Sequence, residues 1–346
     1  MTAAADPEFE SLLEQVRATR GSDFTSYKRS TLARRFRKRM DEVGVEGYAE
    51  YAAYLDAHPD EFTALFNTIL INVTSFFRDP EAWEALTREV LEPLAVRRPE
   101  GPIRVWSAGC ASGEEVYSVV MALAEVLGAD AFRERVKVYA TDVDEEALAA
   151  ARQAVYPEKA LEAVPEALRE RYFEPLRGRF AFRADLRRLV IFGRNDLVRD
   201  APISRIDLII SRNTLMYFTP ETQGHILRHF NFSLNDSGYL FLGKSEMLLT
   251  HGELFKPHDL KWRVFKRVAT AGIRDRIGFV APALQTGNGE IAARYSQLRD
   301  GAADVAPVPQ VVLDATGYLA FANEAARALF GLGPADLGRP IQDLEL

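Results

Sequence analysis

A single cysteine, Cys110, stands in 346 residues. One thiol cannot make an internal disulfide framework and leaves no cysteine-based metal site, which agrees with a reducing compartment. No apolar run reaches the roughly 18 residues needed to span a bilayer. The opening Met-Thr-Ala-Ala-Ala-Asp-Pro-Glu has no basic region followed by an apolar core, so neither an anchor nor a secretory leader is expected. Excess positive charge is missing too. The formal net charge of −7 argues against bulk nucleic-acid binding while leaving room for a local basic patch. What is present is 47% apolar and 27% charged, a soluble globular balance, in a chain long enough for two or three domains. The expectation is a cytoplasmic protein.

The first eighty residues read as an all-helical domain, 1–80. Leu12 to Ala18, Thr31 to Met40, Tyr48 to Ala57 and Pro59 to Ile71 carry apolar residues at helical spacing, broken at Gly21, Gly44 and Asp56-Ala-His-Pro59. Seven of the twelve residues from Lys28 to Arg39 are cationic. Leu32, Phe36 and Met40 recur every four residues and should turn to a core, which spreads Arg34, Arg35, Arg37, Lys38 and Arg39 over the outer face. A solvated face is one reading. So dense a cluster of one sign repels itself, and a docking surface for an acidic partner is at least as well supported. Nucleic acid fits less well, because Phe36 is the cluster's one aromatic and no nucleic-acid motif matches.

Asp79, Pro80 and Glu81 read as a capped helix start. The residues before them then form a loop, with Asn72, Thr74 and Arg78 as its polar candidates and Phe76 and Phe77 as anchors. Strand character from Ile103 to Ser107 runs into a tight turn, Ala108 to Gly113, then Glu114, Glu115 and a helical run from Val116 to Leu127. Strand, turn and helix open a crevice at the carboxyl edge of an α/β sheet. Gly109 and Gly113 let backbone approach a ligand closely, while Glu114 puts negative charge where a phosphate would sit. That disfavours NAD and suits a ligand with hydroxyls and positive charge, such as S-adenosyl-L-methionine. A tight turn with a solvated glutamate pair accounts for the same residues.

Val136 to Asp142 reads as a second strand, its terminal acid either accepting from two ribose hydroxyls or capping the next helix. Gly178 to Arg183 and Arg187 to Phe192 look like strands around a turn near Asp185, a small antiparallel insert near 173–192. Asn195 and Asp196 lie in a polar turn. Ile206 to Ile210 is another buried strand, ending at Ser211-Arg212-Asn213-Thr-Leu-Met-Tyr217-Phe218, and Thr219-Pro220-Glu221 starts a helix. Strands from Tyr239 to Gly243 and Trp262 to Lys266 complete the sheet. His225 and His229 are four apart on a helix, a zinc-compatible spacing, but no third ligand is evident and no metal is expected.

In these motifs and their order, residues 24 to 268 resemble the CheR family of chemotaxis receptor methyltransferases. The motifs are the basic helix, Asn72-x-Thr-x-Phe-Phe-Arg78, Trp106-Ser-Ala-Gly-Cys-x-Ser-Gly-Glu-Glu115, Ala140-Thr-Asp142 and Arg212-Asn-x-x-x-Tyr-Phe218. The resemblance implies a Rossmann-like methyltransferase sheet over 81–268 with the small β insert, preceded by the all-helical domain. It implies S-adenosyl-L-methionine in the cleft, S-adenosyl-L-homocysteine as product, and glutamate side chains in the cytoplasmic helical region of a chemoreceptor as acceptor. Carried over residue by residue, it places Asn72, Thr74 and Arg78 at the cofactor from the helical side, Ala108 and Glu114 along its methionine part, and Asp142 on the ribose. Asn195 and Asp196 would lie near the adenine, with Arg212, Asn213 and Tyr217 closing the cleft. Asp196 stands where an apolar residue is frequent and Ser211 where cysteine is frequent. Arg78 and Tyr217 are the candidates for orienting the acceptor carboxylate, and Arg34, Arg35, Arg37, Lys38 and Arg39 for docking the receptor. The insert leaves little room for the glycine-rich loop with which some members hold a receptor tail peptide, so no tethering is expected.

A polar linker, 269–307, with a possible short helix from Ile291 to Leu298, leads to 308–346. That last stretch reads as a hairpin and a helix and looks like the start of a PAS sensor domain, of which some forty out of about a hundred residues are present. A partial sheet with open edges is poorly stable alone. It is expected to pack on the methyltransferase part or another chain, or to be disordered. Two other functions remain open: methylation of a different protein or a small molecule, and a non-catalytic module that binds the cofactor to report its level.

Overall fold

The computed structural model describes residues 6–20, 24–70, 72–248, 252–268, 311–313, 319–333, 336 and 339, in two compact units, Met1–Ala269 and Thr270–Leu346. The first unit begins with α1 (Pro7–Arg20), α2 (Arg29–Val43), α3 (Tyr48–Ala57) and α4 (Pro59–Ile69), the four helices that apolar spacing predicts. In α2, Leu32, Phe36 and Met40 are buried, and they join Phe9, Leu12, Tyr51 and Leu65 in one core. Gly44 ends the helix in the left-handed conformation, φ 72°, which a β-carbon disfavours.

The basic run of α2 does not all face water. Arg34, Arg37 and Lys38 are exposed and Arg35 is half-buried. Arg39 turns inward, its guanidinium donating to both oxygens of the buried Glu61 at 2.9 and 2.5 Å. Tyr51 donates to the same carboxylate at 2.7 Å. Burial alone would raise Glu61, but the hydrogen bonds from Arg39 and Tyr51 outweigh it and hold the carboxyl below its usual range. The expected docking role of Arg39 is therefore corrected: it ties α2 to α4.

The sheet part follows with α5 (Pro80–Leu86), α6 (Glu92–Arg97), β1 (Ile103–Ala108), α7 (Glu114–Leu127), α8 (Ala129–Arg135), β2 (Val136–Asp142) and α9 (Glu145–Gln153). Next come β3 (Val155–Tyr156), α10 (Glu166–Tyr172), β4 (Phe173–Leu176), β5 (Arg179–Phe182), α11 (Ala184–Arg187) and β6 (Val190–Arg194). β7 (Ile206–Ser211), α12 (Pro220–Ser233), β8 (Leu234–Leu242), β9 (Phe255–Asp259) and β10 (Val264–Arg267) complete the unit. Seven strands form one sheet in the order β6-β2-β1-β7-β8-β10-β9. Its first five are parallel, and β10 runs antiparallel between β8 and β9. Covered on both faces, β1 and β7 read as near-continuous apolar runs: Ile103 and Val105 go to one core, Trp106 and Ala108 to the other.

Three expectations are revised. The segment from Arg187 to Phe192 does not pair with 178–183. It enters the main sheet as edge strand β6, parallel to β2. The insert is instead β3-β5-β4, with β4 and β5 joined at Arg177 and Gly178. Strand β9, missed in the sequence because Lys256-Pro-His-Asp259 lacks apolar alternation, lies at the other edge. Asp79 precedes α5 but makes no capping bond; its carboxylate is taken by Arg212 at 2.6 Å and Lys244 at 2.8 Å.

In the second unit, β11 (Val311–Leu313) and β12 (Leu319–Ala322) pair antiparallel, and α13 (Glu324–Phe330) follows, capped by the Asn323 side chain. The expected helix from Ile291 to Leu298 lies outside the described residues. No helix among the described residues is long and apolar enough to cross a membrane.

Replacing Arg39 by alanine leaves Glu61 buried without its cation. The expected cost is about 2–4 kcal/mol, toward the lower part of the range for a broken buried pair because Arg39 keeps some water contact. Thermal melts of Arg39→Ala beside Arg37→Ala test this: the first should unfold earlier and the second should match the parent.

Candidate cofactor site between the helices and the sheet

At the carboxyl edge of the sheet, a cleft opens between the helical part and the strand ends. Its position follows from topology. The chain leaves β1 for one side of the sheet and β7 for the other, so the loops after these neighbouring strands diverge and leave a crevice.

The turn after β1 is held by the end of β2. Gly109 and Cys110 donate their N–H groups to the Thr141 carbonyl at 2.8 and 3.0 Å, and Trp106 donates its indole N–H to the Thr141 hydroxyl at 2.9 Å. Gly109 has φ 83°, and a β-carbon there would stand 2.5 Å from Thr214 Oγ1. Both the backbone conformation and the close approach therefore require glycine. The Cys110 thiol is buried inside this turn, and burial raises its pKa well above the ordinary thiol value.

Asp142, at the tip of β2, accepts from Ala111 N at 2.8 Å and from Asp144 N at 3.0 Å. Burial pushes its carboxyl up, and these two bonds oppose the shift. Helix capping falls to Asp144, which accepts from Glu146 N and Ala147 N. Asp142 is left on the cleft wall.

Of the residues the sequence singled out, Asn72, Asp142, Asn195, Asp196, Asn213 and Tyr217 line the cleft together. Asn72 also donates to Asp144 at 2.5 Å. Thr74, Arg78, Ala108, Glu114 and Arg212 are not on this wall. Ala108 is fully buried at the end of β1. Glu114 opens α7, buried and hydrogen-bonded by the Ser112 hydroxyl at 2.7 Å, and burial raises its pKa. Arg78 donates to the Val73 carbonyl at 3.2 Å. Arg212 points into the core, donating to Arg78 O at 2.8 Å and the Asp79 carboxylate, with its guanidinium 4.9 Å from the Phe241 ring centre. The loop it leads into is shaped by Glu246, whose buried carboxylate accepts from Gly243 N, Asn213 N and Met216 N at 2.8, 2.9 and 3.3 Å.

Sequence reasoning missed Tyr27, Ile69, Leu70, Val143, Leu197 and Thr214 on the wall, and Glu246 behind it. Thr214 had a usable signal in the glycine opposite it. Tyr27 and Glu246 had none, because no spacing rule relates residues so far from the loop they support. The His225 and His229 rings lie 4.2 Å apart with burial lowering His229 to about 4. No group of three metal-ligating side chains occurs among the described residues.

Glu115, next to Glu114, is buried and accepts from the Ser107 hydroxyl at 3.2 Å. Burial raises it to about 7, against the opposing charge of Arg212. A carboxyl raised on folding adds stability below its unfolded pKa that is lost as pH rises through the folded value. Glu115→Gln should thus melt like the parent below about pH 4.5 and gain about 1–3 kcal/mol on it above about pH 7. Melting curves across that range, with no gain at high pH, would contradict the burial argument.

Comparison with known proteins agrees with this architecture. Residues 72–264 match the model of the CheR methyltransferase SAM binding domain, and residues 7–70 match the CheR methyltransferase all-alpha domain. Chemotaxis protein methyltransferase 2 of Pseudomonas aeruginosa is 33% identical over 245 residues, 69% of this chain and 86% of that protein. The chemotaxis protein methyltransferase of Escherichia coli is 32% identical over 252 residues, 70% of this chain and 85% of that protein. A 104.1 kDa protein of Rhodobacter capsulatus is 34% identical over 257 residues, 73% of this chain, which spans only 27% of its length. With both its helical and its sheet parts matched in order, the chain belongs to the CheR family of S-adenosylmethionine-dependent chemotaxis protein methyltransferases.

Proposed function

We propose that this protein transfers a methyl group from S-adenosyl-L-methionine to glutamate side chains in the cytoplasmic helical region of chemoreceptors, forming methyl esters and releasing S-adenosyl-L-homocysteine. The observation that carries the reading is the convergence of Asp142, Asn195, Asp196, Asn213 and Tyr217 on one cleft between the helices and the strand ends. The residues suit the cofactor. Asp142 spends two of its roughly four acceptor positions on backbone N–H groups, which leaves acceptors for ribose hydroxyls. The Asn213 side-chain oxygen is buried with no partner, an acceptor for the ammonium of the methionine part. Asp142 and Asp196 on the wall favour a cationic ligand.

When bound, the cofactor supplies an electrophilic methyl group on a sulfonium. A glutamate side chain has an ordinary pKa of about 4.3 and is already ionised near neutrality, so the enzyme needs no general base. Its residues have to place a carboxylate oxygen in line and exclude water, and positioning of this kind supplies on the order of 7–11 kcal/mol. Tyr217 lines the cleft, and its hydroxyl is assigned to hold the incoming carboxylate. Arg78 stands one layer back, with four of its five N–H donors not spent on Val73, and completes the grip when the acceptor enters. Arg78→Ala should lose methyl transfer far more than affinity for S-adenosyl-L-homocysteine. Equal losses in a radiolabel assay and in calorimetry would remove Arg78 from that role.

For docking, Arg34, Arg35 and Arg37 make no ion pair among the described residues, and Lys38 reaches Glu42 only at 3.8 Å. This outer face of α2 suits an acidic receptor helix. The compact turn at Arg177 and Gly178 supports the absence of receptor-tail tethering. Residues 308–346 are read as the opening of a PAS sensor domain, supported by a hairpin followed by a helix. The decisive experiment is incorporation of labelled methyl into receptor-containing membranes, with a rate that falls steeply as salt rises from about 0.05 to 0.5 M. Incorporation into other proteins or small molecules alone would assign a different acceptor. Cofactor binding with no transfer at all would make the chain a non-catalytic module. A rate independent of salt would end the docking role of α2.

A further inference from the structure

Tyr27 belongs to the helical part, yet its side chain lines the cleft. It sits on a short strap sewn to the loop after β7: Lys28 N donates to Tyr217 O at 2.9 Å, Thr219 N to Ser26 O at 2.9 Å, and Lys28 Nζ to Met216 O at 2.8 Å. Its ring lies against Phe218, centres 4.8 Å apart and planes 38° apart, and meets Phe24 at a steeper angle. The strap thus fixes the ring from both sides of the cleft, leaving little freedom to lose on binding.

The hydroxyl is not committed within the described part of the protein. Tyr51, Tyr117, Tyr156 and Tyr172 each donate their hydroxyl to a carboxylate or carbonyl oxygen. The Tyr27 hydroxyl makes no hydrogen bond among the described residues. Tyr27 is half-buried, so its hydroxyl faces the cleft and is open to an acceptor on a ligand. Burial, with the charges of Asp196 and Asp142, pushes this phenol well above its usual range, so it stays a donor.

The neighbours decide which half of the ligand it meets. Leu70, Val143, Leu197 and Phe218 surround this stretch of wall, beside the ends of β2 and β6 where Asp142 and Asn195 lie. Apolar and aromatic side chains suit a flat base, whereas a charged amino-acid end needs ionic partners. We infer that Tyr27 is a cofactor-binding residue contributed by the helical domain, its ring packing on the nucleoside half of S-adenosyl-L-methionine and its hydroxyl donating to an acceptor there. The inference rests on the reading that this cleft holds the cofactor.

Calorimetric titration of the parent, Tyr27→Phe and Tyr27→Leu with S-adenosyl-L-homocysteine and with adenosine tests it. Tyr27→Leu should bind both ligands more weakly, by about tenfold and in the same ratio. Tyr27→Phe should lose about threefold to tenfold while melting like the parent without ligand. In turnover the Leu variant should raise KM for the methyl donor with kcat within about twofold of the parent, the pattern of lost binding common to ground and transition states. Unimpaired binding by Tyr27→Leu, or a loss for S-adenosyl-L-homocysteine that spares adenosine, overturns the inference. Parent-like binding by Tyr27→Phe overturns the hydroxyl's part, which water would then satisfy. A parent that fails to bind S-adenosyl-L-homocysteine overturns the cofactor reading itself, a result distinct from the others.

Discussion

Arg212 leaves the end of β7 and turns away from solvent, donating to the Arg78 carbonyl and the Asp79 carboxylate while its guanidinium lies over Phe241. Asp79 is shared with Lys244, which follows β8. Three segments that form separate parts of the chain therefore meet at one carboxylate: the loop ahead of α5, the loop after β7 and the loop after β8. A guanidinium this far from water is costly unless paired, and removing Asp79 would leave Arg212 stranded, whereas Asp79 would keep Lys244 if Arg212 were lost. The cleft rests on this arrangement. It sets where Asn213 and Tyr217 begin and where the loop from Asn72 to Arg78 ends.

Much of the fold was legible because periodicity reports burial directly. The helix faces of α2 and α4 and the apolar strands β1 and β7 follow from it. Periodicity could not assign the partner of Arg187 to Phe192, since pairing with β2 or with the insert buries the same residues. It also passed over β9, an edge strand whose exposed Lys256, Pro257 and His258 carry no alternation. Within the site, motif resemblance found residues on the wall, such as Asp142 and Asn213, and residues one layer behind it, such as Ala108, Glu114 and Arg212, without separating them. Depth from a cavity is set by tertiary contacts and has no signature in local spacing. The same holds for Arg39, which shares its run of cations with Arg37 but differs from it by 200° around the helix.

Charge is arranged with a sign. Glu114, Glu115, Asp142, Asp196 and Glu246 lie at or behind the cleft, and burial raises the pKa of four of them. Arg34 and Arg37, which make no ion pair among the described residues, are exposed on α2 of the helical part. Under the proposed function, a positively charged small ligand and a negatively charged macromolecule would meet different surfaces of one unit. The strap from Ser26 to Lys28 joins these surfaces, because the residue after it begins α2. If docking at α2 changes affinity in the cleft, occupancy of the cleft must change docking by the same factor.

The lone thiol has a practical corollary. Cys110 lies inside the turn that Gly109 and Thr141 hold closed, and a thiol so shielded and so reluctant to ionise is inert toward alkylating and oxidising reagents while the turn stays folded. Its chemical labelling becomes a clock for transient opening of the β1–α7 junction, with no competing sulfhydryl anywhere in the chain to blur the signal.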